Sequence, residues 1–231
     1  MVIQIQFRGD TSLLFELTDE IIISGVLLPD EEVNLSFENS GKIVSINFTE
    51  GSHVTKGQLL AKVNDGPLQA QLKKLESQLQ LAQDRVYRQS ALLEKDAVSK
   101  EALEIVKTEL ATLNADIEKV KAQIEMTELR APFDGVIGLR QVSVGAYAST
   151  STVIAKLTSL TPIKIGFSVA ERYSSDVKKG ANLEFRVDGK LETFKAQVYA
   201  TESSLEAETR SLLVRARYAN SNGELMPGQY A

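Results

Sequence analysis

Cysteine is absent from this sequence, and histidine occurs only once, as His53. Without cysteine the chain has no disulfides, no thiolate nucleophile and no thiolate metal site. A single histidine also removes most metal centres and acid–base pairs, and we interpret His53, in a glycine-rich turn, as a surface residue. A nucleophile–base pair and a phosphate-binding loop are missing too. We therefore predict that the protein is not an enzyme and has no catalytic, metal-binding or cofactor-binding residues.

Long apolar runs and an excess of positive charge are also missing. The net charge of −5 gives no electrostatic footprint for nucleic acid, which binds basic surfaces. No apolar run approaches the roughly 20 residues that span a bilayer, and residues 1–10 lack the pattern of a signal peptide. The rest of the composition is ordinary for a folded protein, with 43% hydrophobic and 25% charged residues in a chain of 231, a length that suits one or two domains.

Two long segments repeat an apolar residue at alternating intervals of three and four. The first series is interrupted only by Gln89 and consists of Leu68, Leu72, Leu75, Leu79, Ala82, Val86 and Leu93. The second series is unbroken and consists of Leu103, Val106, Leu110, Leu113, Ile117, Val120 and Ile124. An average spacing of about 3.5 residues keeps one stripe of a helix facing one partner, so the segments predict the two helices of a coiled coil.

The ends of the two predicted helices carry the expected signals. Pro67 suits a first helical turn, where its missing N–H is not needed, and Ser99 can cap the second helix. The break at 94–100 is so short that the helices must be antiparallel neighbours, which makes them an α-hairpin. At about 1.5 Å per residue the hairpin is an arm about 40 Å long.

The segments on either side of this arm repeat each other. Residues 41–63 align without a gap with residues 135–157, and the glycines at the turns coincide. Each segment resembles half of a carrier domain that holds biotin or lipoate on a lysine at a hairpin tip. Here the helices replace that tip, so we predict one β-sandwich split by the arm, without the attached cofactor. A biotin or lipoyl carrier is the less favoured alternative.

The remaining sequence is rich in strands. Four segments between 163 and 218 alternate apolar and polar residues, which is typical of half-buried antiparallel strands. Residues 170–180 break the alternation, and we predict one short helix that ends before Gly180. The segment 20–28 predicts a further strand, and residues 1–17 predict a strand pair. Four strands and a helix of this kind make a small barrel or an open sandwich.

Five segments resemble, in the same order, the periplasmic adaptor proteins of tripartite efflux pumps. This HlyD-like family is also called the membrane fusion proteins, and the likeness is strongest to the adaptors of resistance-nodulation-division (RND) pumps. The segments are ELRAPFDGVIG (128–138), VSVGAYAS (142–149), IKIGFSVAERY (163–173), TRSLLVRARYAN (209–220) and ELMPGQYA (224–231).

The resemblance implies an elongated, modular α+β fold, in which an antiparallel coiled-coil α-hairpin is inserted in a split biotinyl/lipoyl-like β-sandwich and a small β-barrel follows. The implied boundaries are 1–19 for part of a membrane-proximal domain, 20–40 and 158–231 for the barrel, 41–66 and 129–157 for the lipoyl-like domain, and 67–128 for the hairpin.

The resemblance also implies a function and partners. We expect an adaptor that bridges an inner-membrane RND transporter and an outer-membrane channel of the TolC type, so that substrates cross both membranes, as in multidrug resistance. It would lie in the periplasm, anchored to the inner membrane through residues outside this sequence, and would assemble into a ring of three or six copies. It would not bind nucleic acid. An adaptor of an ABC-type exporter or a type I secretion system shares the architecture and stays open.

The hairpin tip carries the remaining candidate site. In this family the pattern for docking onto the channel is arginine, three residues, leucine, six residues and serine, which matches Arg88, Leu92 and Ser99. Arg88 and Leu92 are four residues apart and so share one helix face. The plain alternative is a solvated arginine, an exposed leucine and an ordinary helix cap. With the family pattern in view, we favour docking.

Overall fold

The computed structural model describes residues 3–6 and 20–230 of the chain. In this part of the chain there are fifteen strands, two α-helices and one short 3₁₀ turn, Glu171–Tyr173. The strands are β1 Ile3–Gln6, β2 Glu20–Ile23, β3 Gly25–Pro29, β4 Glu32–Leu35, β5 Gly41–Ile46, β6 His53–Val54, β7 Leu59–Val63, β8 Glu128–Arg130, β9 Gly135–Ile137, β10 Tyr147–Ala148, β11 Ala155–Thr158, β12 Ile163–Ala170, β13 Asn182–Phe185, β14 Phe194–Thr201 and β15 Ser211–Tyr218. The helices are α1 Gly66–Leu93 and α2 Lys100–Glu125.

A seven-stranded sheet, in the order β2-β1-β13-β14-β15-β12-β3, forms the barrel. Only Ser24 separates β2 from β3, so the two edge strands are halves of one bent strand, and the sheet closes on itself. The alternation predicted for the last four strands is present: Ile163, Ile165 and Phe167 of β12 all point into one core. Phe185, Phe194 and Tyr218 pack their rings together in that core, with centroids 5.4 to 5.7 Å apart.

The prediction of a short helix at 170–180 is wrong. Only the 3₁₀ turn at 171–173 forms there, and bends and turns follow it. Ser174 donates its hydroxyl to the carbonyl of Glu171 at 2.7 Å, and the hydroxyl of Ser175 donates to the Asp176 carboxylate at 3.3 Å. Side chains of this type offer the backbone and each other bonds that compete with a continuing helix.

The membrane-proximal segment expected at 1–19 needs correction at residues 3–6. Strand β1 belongs to the barrel sheet, where it pairs with β13 on one side and β2 on the other. Without β1 the strand β13 would present an unpaired edge, which folded sheets avoid. The rest of that expected segment, residues 1–2 and 7–19, lies outside the described residues.

Two four-stranded sheets form the sandwich, in the orders β10-β5-β7-β8 and β4-β11-β9-β6. The two sequence repeats exchange strands: β10 of the second repeat pairs with β5 of the first, and β6 of the first pairs with β9 of the second. Ile43, Leu60, Ile137 and Leu157 are fully buried in one shared core. Neither repeat has a complete sheet alone, so the repeats must fold together.

The expected boundary of the barrel at residue 40 lies too late. Strand β4 pairs with β11 of the sandwich, with Leu35 opposite Ala155. Leu35 and Phe37 belong to the sandwich core, at 4% and 2% exposure. The chain therefore passes from barrel to sandwich at Asp30 and Glu31. Val33, Leu35 and Phe37 alternate with polar residues, a pattern that suits a half-buried strand in either sheet.

Gly135 is expected to tolerate no side chain. A Cβ atom there would lie 2.5 Å from the backbone carbonyl oxygen of Thr158, on the paired strand β11. We predict that Gly135→Ala lowers the free energy of unfolding by about 2 kcal/mol, because the strands must move apart. Gly138→Ala is the matched control, since its Cβ would meet the Lys156 carbonyl oxygen at 3.3 Å. Equal stabilities of the two variants in urea unfolding would contradict this prediction.

The two helices leave and re-enter the sandwich between neighbouring strands, because β7 pairs with β8. They pack against each other along their lengths, and six residues, 94–99, join their far ends. All residues of the two predicted apolar stripes are buried or half-buried, and Ile117 and Val120 are the most buried, at 4% and 2% exposure. In α1 no residue is fully buried, so the stability of the pair depends on a narrow stripe.

Candidate functional site

Charged residues hold the base of the helix pair on the sandwich. Lys62, in β7, places its Nζ 2.8 Å from Asp65 and 3.4 Å from Glu128. Glu128 also pairs with Arg130 at 2.7 Å, and Arg130 donates to the carbonyl of Gly57. The backbone N–H of Val63 donates to the carbonyl of Thr127 at 3.0 Å. These contacts join the residue before α1 to the residues after α2, so both near ends of the helices are fixed.

The Lys62–Asp65 pair predicts a dependence of stability on pH. The hydrogen bond to Asp65 raises the pKa of Lys62. Burial opposes ionisation of Asp65, but hydrogen bonds from Lys62 and Gln69 outweigh it and lower the pKa of Asp65. A lowered carboxylate pKa stabilises the fold above pH about 4, and this stability is lost as the pH falls through the folded value. A raised lysine pKa stabilises below pH about 10, and this stability is lost as the pH rises through the folded value.

We expect Asp65→Asn to lower the free energy of unfolding by about 1 kcal/mol at neutral pH and to leave it unchanged near pH 2. Urea unfolding between these pH values measures the difference in free energy of unfolding between the wild type and the variant. This difference should shrink as the wild-type carboxylate becomes protonated. Asp134→Asn is a poor control, because Asp134 accepts a hydrogen bond from the N–H of Lys56 at 2.7 Å. Asp116→Asn, on the exposed face of α2, is the better one. A constant difference across the whole range would contradict a role for the charge.

The far end of the helix pair is closed by a defined turn. At the end of α1 the N–H of Ala97 donates to the carbonyl of Leu92 at 3.0 Å, and that of Asp96 donates to Leu93 at 2.9 Å. This is the Schellman pattern, which needs a left-handed residue, and Asp96 supplies it with φ of +55°. Aspartate adopts this conformation more easily than most residues. The backbone beneath Leu92 is therefore fixed by hydrogen bonds.

The structure brings the three residues of the docking pattern to this end. Arg88 is exposed on the last turns of α1, and among the described residues its side chain has no ion pair or hydrogen bond. Leu92 follows one turn later and is 42% exposed. Ser99 begins α2, where its Oγ accepts the N–H of Ala102 at 3.1 Å. The capping role predicted for Ser99 is confirmed, and docking by the three residues stays a prediction.

Together the three side chains offer a complementary set of contacts. Arg88 supplies up to five N–H donors in a fixed planar fork, which suits carboxylates and carbonyls. Leu92 supplies an apolar contact on the same face. The Ser99 hydroxyl keeps its own donor, because capping uses only a lone pair of its oxygen. A partner helix with acceptors beside an apolar groove would match this end of the arm.

Two features of this end were not predicted from the sequence as parts of the site. Tyr87, beside Arg88, is 76% exposed, and a tyrosine this exposed is often a binding residue. The Oε1 atom of Gln89 is buried and has no hydrogen-bond partner among the described atoms. Gln89 is the residue that interrupts the apolar series, so its position was visible in the sequence. The missing hydrogen bond was not, and an unsatisfied buried polar group lowers the free energy of unfolding by about 1–3 kcal/mol.

In the part of the chain that the structure describes, no group of three or more histidine, cysteine, aspartate or glutamate side chains is placed to hold a metal ion. Neither of its two helices combines the length and the apolar character that crossing a bilayer requires.

Two family models match the chain. The model for the barrel-sandwich hybrid domain of RND membrane fusion proteins matches residues 31–159, which is more than half of the chain. The model for the CusB-like β-barrel domain matches residues 163–231. The first match begins where the structure passes from barrel to sandwich, at Glu31, and the second begins with strand β12 at Ile163.

Relatives and solved structures agree with these matches. The multidrug resistance protein MdtA of Pantoea ananatis is 30% identical over 232 residues, covering 89% of this chain and 56% of MdtA. The efflux pump periplasmic linker BepD of Brucella suis is 28% identical over 225 residues, covering 82% and 56%. The chain thus spans little more than half the length of the curated relatives it matches.

A MacA–MexA chimera that contains the α-hairpin domain of Pseudomonas aeruginosa MexA has a similar fold. Its TM-score is 0.79 at 21% identity, and the match covers 91% of this chain and 78% of the chimera. At this identity the likeness concerns the fold alone. The matched domains, their order and the relatives lead to one conclusion: the chain belongs to the family of RND membrane fusion proteins.

Proposed function

We propose that this chain is the periplasmic adaptor part of a tripartite efflux pump. It bridges an inner-membrane RND transporter and an outer-membrane channel of the TolC type, and substrates pass through the assembly across both membranes. Family membership supports the general role of an efflux adaptor. The bridging role is proposed because the two surfaces assigned to partners, the far end of the helix pair and the barrel, belong to different modules.

The observation that carries the proposal is the helix pair and its exposed end. The pair is an antiparallel coiled-coil hairpin that projects from the split sandwich. Its near end is fixed by Lys62, Asp65 and Glu128. Its far end presents Arg88, whose side chain has no ion pair within the part of the chain that the structure describes, beside the exposed Leu92. A purely structural hairpin needs no such end. Arg88, Leu92 and Ser99 therefore form the docking surface for the channel.

The barrel is the part that contacts the transporter. In the chain order a segment of the sandwich separates the barrel from the helices on both sides, and the barrel includes the segment 170–190 with its irregular turns. Leu191 follows that segment and is completely exposed. Photo-crosslinkers along 170–190 are expected to capture an inner-membrane transporter. Capture of the outer-membrane channel by this segment instead would contradict the assignment of the two ends.

The proposed location is the periplasm, with an inner-membrane anchor in residues outside this chain. Several copies assemble into a ring of three or six around the path of the substrate. The ring is proposed because a single narrow arm cannot enclose a conduit between two membranes.

Export and copurification from native membranes test the proposal. A strain without the gene should become sensitive to exported compounds, and the intact protein should copurify with one inner-membrane and one outer-membrane partner. An RND transporter among the captured proteins supports the proposal. An ATP-driven exporter in its place would favour the ABC-type or type I alternative, and biotin or lipoate in the intact mass would favour the carrier.

A further inference from the structure

The described part of the chain crosses between barrel and sandwich twice, and the two crossings lie side by side. Residues 30–31 form the first crossing, and residues 159–162 form the second. The N–H of Asp30 donates to the carbonyl of Ser159 at 3.1 Å, and the N–H of Ser159 donates to the carbonyl of Glu31 at 2.8 Å. The crossings therefore form one short ribbon, and the direction of this ribbon sets the angle between the two modules.

Two cations of the barrel face each other beside the first crossing. Lys164 of β12 and Arg217 of β15 are directly opposite in the sheet. Like charges in such a cross-strand pair repel each other and destabilise the pairing. The guanidinium group of Arg217 is held in place by the ring of Tyr199, since its Cζ lies 4.9 Å from the ring centroid. The barrel therefore carries a preformed position for one negative charge.

Asp30 supplies that charge from the crossing itself. Its Oδ1 lies 3.0 Å from the Nζ of Lys164 and 3.4 Å from the Nη2 of Arg217. The Lys164 ammonium group also donates to the backbone carbonyl of Asp30. The side chains of Asp30 and Lys164 are only 22% and 18% exposed, so salt and water screen this pair only in part. One residue thus binds two strands of the barrel, while its own N–H binds the second crossing.

The second crossing is attached to the barrel by a different group. Asn220 follows β15 and is buried, at 2% exposure. Its side-chain amide donates to the carbonyl of Leu160 at 2.8 Å, and its backbone carbonyl accepts the hydroxyl of Thr161 at 3.5 Å. Each crossing therefore has its own side-chain attachment to the barrel, and in the first crossing that attachment consists of ion pairs.

We propose that Asp30 is a positioning residue that fixes the angle between the barrel and the sandwich. The helix pair is bonded to the sandwich at its base, so the same contacts also set the direction of the arm relative to the barrel. Without the carboxylate, Lys164 and Arg217 repel each other and the first crossing loses its side-chain attachment. The inference rests on the proposed function, in which the arm reaches the channel while the barrel stays on the transporter.

Spin labels on the two modules test the proposal, because the native chain has no cysteine that would compete for the labels. The intact protein is labelled at Lys42→Cys in β5 and at Leu213→Cys in β15, both of which are exposed strand residues. Double electron–electron resonance measures the distribution of distances between the labels. The distribution should be narrow with Asp30 present, and Asp30→Asn should broaden it.

Glu31→Gln is the matched control. It removes one negative charge from the neighbouring residue, which is exposed and whose side chain has no ion pair or hydrogen bond within the part of the chain that the structure describes. This variant should leave the distribution of distances unchanged. Equal broadening by Glu31→Gln and Asp30→Asn would overturn the proposal, because a general loss of negative charge would then explain both results.

The double variant Lys164→Gln, Arg217→Gln removes the same ion pairs from the barrel side. It should broaden the distribution as Asp30→Asn does, and it carries the test if urea unfolding shows that Asp30→Asn does not fold. Combining all three substitutions should add no further broadening, because residues that act through one shared contact are not additive. Independent, additive effects would mean that Asp30 does not act through the two cations.

Export separates this inference from the proposed function. Asp30→Asn should lose export, whereas pull-down of the outer-membrane channel, which depends on the far end of the arm, should stay at the wild-type level. Equal widths for wild type and Asp30→Asn would overturn the inference and leave the adaptor function standing. Broadening by Asp30→Asn in a protein whose wild type captures no channel and no transporter would support the positioning role and contradict the proposed function.

Discussion

Ile117→Asp is expected to separate the two helices while the sandwich and barrel stay folded. Ile117 is one of three buried residues of α2 and is 4% exposed. An aspartate there loses the apolar contact and places a charge without a partner in the stripe, which costs about 3 kcal/mol or more. Isolated helices of this length are marginal in water. The variant should therefore lose most of its helical circular dichroism and its export activity.

Lys119→Asp is the control for this prediction. It introduces the same residue two positions away on the exposed side of α2, so it has the same effect on helix propensity without burying a charge. It should keep both the helical signal and export. The thermal transition of the β-modules should survive in both variants, because each of those modules has its own core. Loss of the whole cooperative transition in Ile117→Asp would mean that the helix pair is not a separate unit.

The apolar spacing predicted the helix pair well because it has a local cause. A period of about 3.5 residues determines which side chains face a neighbouring helix, and the same residues are buried or half-buried in the structure. The exposure of Arg88 and Leu92 follows from the same spacing, since both lie outside the apolar series of α1. The cap at Ser99 was also predictable, because one side chain makes the bond within three residues.

The strand partners were not predictable in the same way. Apolar and polar residues alternate in 32–37, which suits a strand with one buried face but does not depend on which sheet buries it. The expected barrel boundary at residue 40 therefore includes strand β4, which belongs to the sandwich. For β1 the difficulty is greater, because its partner β13 lies about 180 residues away in the chain. Such pairings depend on which edges the rest of the fold leaves open.

Two local features, one predicted incorrectly and one not predicted, have a different cause. At 170–180 the break in the alternation and the glycine at the end predict a helix, but the serines bond to nearby groups and only a 3₁₀ turn forms. At Asp96 a non-glycine residue adopts φ of +55°, which composition alone does not indicate. In both places the backbone conformation depends on a few hydrogen bonds of the turn. The sequence therefore indicates where the regular element ends but not the geometry of the turn.

Arg88→Ala and Leu92→Ala are expected to abolish export while leaving helical content and stability unchanged. Both side chains are exposed, so their removal exposes no core. Arg88→Lys should also lose most binding to the channel, because an ammonium group does not reproduce the planar fork of donors. Lys95→Ala is the control, since it removes an exposed cation from the connection at the same end of the helix pair. Pull-down of the outer-membrane channel from membranes measures the effect, expected to be at least about tenfold for each variant, or about 1.4 kcal/mol.

Ser99 separates capping from docking at the same tip. Aspartate is as good a cap as serine, so Ser99→Asp should keep the hydrogen bond to the N–H of Ala102 and the stability of α2. It also places a negative charge where the hydroxyl would donate to the partner. If the hydroxyl docks, Ser99→Asp folds normally and fails to bind the channel, whereas Ser99→Ala loses about 1 kcal/mol of stability. Wild-type export by Ser99→Asp would restrict Ser99 to capping. Wild-type export by Arg88→Ala and Leu92→Ala as well would place the docking surface elsewhere on the arm.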